Sequence, residues 1–82
     1  MLTFDQFVKT KTFSSDIVRD LGTLGTDPGE PVAGFIYMNQ YYITINPDKY
    51  HEEKRWELVT SDWSMTDTLD NLERELYNLV SS

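Results

Sequence analysis

The C-terminal segment places the tightest limit on what this chain can fold into. Leu69, Leu72, Leu76, Leu79 and Val80 recur at three- and four-residue intervals. On a helical wheel they cover an arc of about 100°, the width of a helix face that lies on a sheet. Thr66 has the position of an N-cap, and Asp67 and Asp70 suit the positive end of the helix macrodipole. Asp70 and Arg74 stand in the favourable i, i+4 order for an ion pair. Tyr77 falls about 60° outside the apolar arc, where it either staples the helix edge or joins a contact surface with Glu73. Such a stripe needs an apolar layer beneath it, and the middle of the chain supplies one.

Two β-rich runs, Val32 to Met38 and Tyr41 to Ile45, flank Asn39-Gln40 and read as a hairpin. Asn46-Pro47-Asp48 is a turn, Lys49 to Lys54 a polar connection, and Arg55 to Thr60 a third alternating run. A three-stranded antiparallel meander is the simplest arrangement. Period-two alternation puts Ile43, Ile45, Trp56 and Leu58 on the helix-covered face and sends Tyr42, Thr44, Glu57 and Val59 to the other.

The first 21 residues read as helix in two pieces. Thr3 and Gln6 have capping-box spacing, with Phe4, Phe7 and Val8 at i, i+3, i+4. In the second piece Ser14 serves as N-cap, Phe13 and Val18 have hydrophobic-staple spacing, and Ile17, Val18 and Leu21 share a face that ends at Gly22. The two apolar clusters lie about 100° out of phase, so a break is expected near Thr10-Lys11-Thr12. Gly22 to Pro31, with three Gly and two Pro, is loop composition. The expected architecture is α+β: an N-terminal broken helix, a three-stranded antiparallel meander and a C-terminal amphipathic helix, with the helices on one sheet face.

Eighty-two residues make one small acidic domain with a thin core. A net charge of −7 argues against direct binding to nucleic acid, which relies on Lys and Arg releasing counterions. With no cysteine there is neither a disulfide nor a thiolate nucleophile or zinc ligand. Met1 to Asp5 lacks the basic and apolar regions of a signal peptide, and the longest uncharged apolar run, Val32 to Met38, is too short to span a membrane. A soluble cytoplasmic protein is the expectation.

Chemistry-bearing motifs are sparse. His51 has Arg at position 55 where a zincin helix needs a second histidine, and it reads as a surface residue in a solvated turn. The segment Gly22 to Gly29 lacks the Lys-Ser/Thr of a phosphate loop, and Asp27 and Glu30 would repel phosphate. Asp48, Glu52 and Glu53, or Asp62 and Asp67, match no calcium-loop spacing. No catalytic, cofactor-binding or metal-ligating residue is assigned, and the reading is non-enzymatic.

Two features point to partners instead. Phe35, Tyr37, Tyr41, Tyr42, Tyr50, Trp56 and Trp63 are more aromatics than one side of a three-stranded sheet needs. Some of Phe35, Tyr37 and Tyr42 are therefore expected on the uncovered face as contact area. Residues 62–82 hold five acids and one base, concentrating negative charge on the last helix. Phe35, Tyr37, Tyr42, Asp67, Asp70, Glu73 and Tyr77 are accordingly the candidate partner-binding residues of a non-catalytic protein-interaction module. The alternative is an acidic inhibitor that imitates nucleic acid, as small phage and mobile-element proteins do, against a DNA- or RNA-binding protein. Self-association through the open face or a free strand edge is a further expectation.

Overall fold

The structure, a computed structural model, describes residues 2–18, 31–60 and 62–81. It is an α+β arrangement of α1 (Phe4–Lys9), β1 (Thr12–Val18), β2 (Pro31–Tyr37), β3 (Tyr41–Ile45), a 3-10 turn (Pro47–Lys49), β4 (Trp56–Val59), β5 (Ser64–Asp67) and α2 (Leu69–Ser81). The strands form one antiparallel sheet in the order β1-β2-β3-β4-β5, so β1 and β5 are its edges.

The sheet thus has five strands where the sequence suggests three, and both additions have a physical cause. The stretch read as a second N-terminal helix is β1. Its pairing runs Phe13↔Phe35 and Ser14↔Gly34 and then resumes at Ile17↔Val32, so β1 carries one extra residue. Such a bulge switches the face on which later side chains emerge. Phe13 and Ile17 are four apart, a helical interval, yet they pair with β2 residues of opposite parity. Ser14 Oγ donates to Asp16 Oδ1 at 2.5 Å inside the bulge. Leu21 and Gly22, read as the end of that helix, and the glycine-rich loop lie outside the described residues.

The second addition is β5. Thr66, read as a helix cap, sits in this strand opposite Glu57. Thr68 does the capping: its Oγ1 accepts from the Asn71 N–H at 3.3 Å, and its carbonyl accepts from Leu72 N at 3.1 Å. The β4–β5 turn is closed by Thr60, whose hydroxyl accepts from Trp63 N at 3.1 Å.

Other local signals are met directly. The Thr3 hydroxyl accepts from Gln6 N at 3.1 Å while Gln6 Oε1 accepts from Thr3 N at 2.9 Å, a complete capping box for α1. The β2–β3 turn centres on Met38 and Asn39, at φ 53° and 61°, one residue before the Asn-Gln pair. Both central residues of such a turn need positive φ, which matches the twist of the flanking strands.

Register lines Phe35, Ile43, Leu58 and Met65 across one face. Tyr37, Ile43 and Leu58 share a buried cluster with Phe7 of α1 and with Leu72 and Leu76 of α2. On the other face Tyr42 is exposed, but Thr44 and Glu57 are buried, as are Ile17 and Val32. The 3-10 turn folds over part of that face: Asn46 Nδ2 donates to Glu57 Oε1 at 2.6 Å and Lys49 Nζ to Thr66 Oγ1 at 3.4 Å.

Candidate functional site

The candidate partner-binding residues do not form one patch. Tyr37 is fully buried beneath the helices rather than on the open face. Its ring stacks on Phe7 at 5.2 Å between centroids, and its hydroxyl donates to Glu73 Oε2 at 2.6 Å. Glu73, read as a surface acid, is only 6% exposed. Lys11 Nζ donates to the same oxygen at 3.2 Å, giving this carboxylate a charged partner and a phenol. A buried carboxylate is tolerable only with such partners. Burial holds the Tyr37 phenol well above its ordinary ionisation range, and the hydrogen bond and charge of Glu73 raise it further.

Phe35 also faces the helix side, half-buried between Phe13 and Trp56, with Lys11 Nζ 4.9 Å from its ring centroid. Tyr77 is the staple: it packs against Phe4 and Phe7, and its hydroxyl donates to the Leu2 carbonyl at 2.7 Å. Asp67 Oδ1 accepts from Asn71 Nδ2 at 3.0 Å and from Thr68 N at 2.7 Å. The Asn71 bond, then the Thr68 bond, hold this carboxyl below the usual range, with Lys54 contributing less. Asp70 pairs with Arg74 at 3.1 Å, both largely exposed. Of the seven, Tyr42 alone presents a large exposed apolar surface, at 48%.

The helix-covered face holds a feature that the sequence pattern does not reveal. At the end of the sheet where α2 finishes lies a groove of about 280 Å³. Tyr41 and Leu58 line it from the sheet, Val59 and Thr60 from the end of β4, and Leu76, Leu79 and Val80 from α2. Leu79 is 43% exposed. Trp63, 41% exposed, stands in the adjoining β4–β5 turn. A second groove of about 260 Å³, lined by Leu2, Phe7, Met38 and Tyr77, shares Val80 with the first. The apolar arc of α2 therefore continues past what the sheet covers, and its outermost members, Leu79 and Val80, serve the grooves. The position of Leu79 at the edge of the arc is the sequence signal that could have marked it.

Charge is distributed unevenly about this surface. Asp62, exposed in the β4–β5 turn, follows groove-lining Thr60, and exposed Glu75 lies one helical turn before Leu79. The last turn of α2 has no basic residue, so the negative end of its dipole is uncompensated by its own side chains. Lys49, Lys54 and Arg55 lie at the opposite end of β3 and β4, beside the start of α2.

His51 is exposed, with its ring edge-on to Tyr50. Among the described residues no cluster of three or more His, Asp or Glu is placed to hold a metal ion, and no helix is long and apolar enough to cross a membrane. No family model, curated protein or solved structure matches this chain.

Proposed function

We propose that this chain is a non-catalytic protein-interaction module whose docking surface is the apolar groove at the C-terminal end of α2. The observation that carries the reading is Leu79, 43% exposed although it belongs to the apolar stripe of α2, on the lining of one groove with Tyr41, Leu76 and Val80. Contiguous exposed apolar surface rimmed by polar residues is the usual mark of a protein contact. Tyrosine is among the residues that carry the most binding energy at such contacts. The groove is open and holds about 280 Å³, room for side chains from a partner.

The nucleic-acid-mimic alternative has less support. Of the acids assigned to it, Glu73 is turned inward to Lys11, Asp67 binds the first turn of α2, and Asp70 pairs with Arg74.

The test is capture of a partner from lysate of the native source, with the wild-type chain beside Leu79→Ser/Val80→Ser. Both positions are partly exposed, so the variant should keep its fold by circular dichroism. A partner held by the wild type and lost by the folded variant supports the reading. A partner held equally by both overturns it.

A further inference from the structure

Resting on that reading, we infer that the groove takes a basic segment of another protein, one that inserts a bulky apolar side chain between Leu79 and Tyr41. The argument is the sign of the surface around an apolar floor. Three independent sources of negative potential converge at this end of the molecule: Asp62, Glu75 and the uncompensated C-terminal end of α2. Most bases of the described residues are committed to other partners or lie at the far end of the sheet. Lys11 is committed to Glu73, and Arg74 to Asp70 and the face of Phe4. Lys49, Lys54 and Arg55 occupy the far end of the sheet.

The same distribution disfavours other occupants. A second copy would bring another net charge of −7 against the acidic rim. An acidic peptide meets the same repulsion. A neutral apolar peptide fits the floor but gains nothing from the rim. An apolar anchor with Lys or Arg on its flanks satisfies both, because the floor rewards desolvation and the exposed rim speeds encounter and selects partners by charge.

The experiment pans a displayed library of random peptides against the full chain at low salt, with counter-selection on Leu79→Asp. Enriched peptides should combine a large aliphatic or aromatic residue with flanking Lys and Arg, and should lose binding to Leu79→Asp and to the milder Leu79→Ala. For a synthesised winner, Asp62→Lys/Glu75→Lys should weaken binding about tenfold, as should raising salt from about 50 to about 500 mM. Winners that need Leu79 but are neutral or acidic would overturn the basic partner and leave the groove reading standing. Winners that bind Leu79→Ala as well as the wild type, or no enrichment at all, would overturn both. Circular dichroism of each variant separates lost binding from lost fold.

Discussion

The Tyr37 hydroxyl meets Glu73 Oε2 at 2.6 Å in a setting where both side chains are buried, and Lys11 reaches the same oxygen from the other end of the chain. This tie joins the segment after α1, the second strand and α2 through one carboxylate. Tyr37 and Glu73 are shielded from water, so the cost of losing one falls on the other.

Tyr37→Phe removes one donor to Glu73 and keeps the ring against Phe7. A hydrogen bond to a buried charged group contributes about 2 kcal/mol, and that loss is expected in urea unfolding. A cycle with Glu73→Gln should return a coupling of about 1–2 kcal/mol. Additive single losses would show that the two groups do not act together.

The same phenol sets an alkaline limit. An unfolded tyrosine ionises near pH 10, whereas burial first, and Glu73 second, raise Tyr37 in the fold. The stability from keeping it neutral is fully present below about pH 10 and is lost as pH rises toward the folded value. Wild type should lose about 1.4 kcal/mol more per pH unit above pH 10 than Tyr37→Phe. Parallel profiles of urea midpoint against pH would refute this.

Gly34→Ala should be among the most damaging small substitutions. A Cβ there would stand 2.5 Å from the Ile43 carbonyl oxygen and 2.7 Å from Thr44 Cα, both backbone atoms of the neighbouring strand. Relief requires β2 and β3 to part, at about 2–3 kcal/mol or with loss of folding. A thermal midpoint within a degree or two of wild type would show that the strands absorb the methyl.

Thr10→Val tests the junction between α1 and the hairpin. The Thr10 hydroxyl donates to the Phe7 carbonyl at 2.7 Å and accepts from Met38 N at 3.0 Å. Valine keeps the shape, removes both bonds and leaves the Met38 N–H without its acceptor in a part-buried site. About 1–2 kcal/mol should be lost, with faster amide exchange at Met38 as the local signature.

Sequence reading succeeded where an element is defined by residues a few positions apart. The capping box at Thr3 and Gln6, the stripe from Leu69 to Val80 and the hairpin around Asn39 are all of this kind, since each is fixed by local geometry. Ile43, Ile45, Trp56 and Leu58 likewise share the face that alternation assigns them. It failed at β1, because the bulge between Ser14 and Ile17 spaces apolar residues as a helix would. It failed again at β5, where Ser64-Met65-Thr66-Asp67 carries one apolar residue and becomes a strand by pairing with β4.

Local periodicity therefore determined α1, α2, the hairpin and the parity of the central strands, because neighbouring side chains and backbone donors decide those alone. The tertiary structure decided which polar groups go inside and which apolar ones stay out. Glu73 lies beside the apolar stripe, and nothing within a turn of it offsets the cost of burying its charge. That offset comes from Lys11 and Tyr37, 62 and 36 residues away. Leu79 belongs to the stripe by pattern, yet the sheet ends beneath it, so a residue with core periodicity lines an open groove. Both outcomes depend on where distant segments meet, a property that no window of the sequence contains.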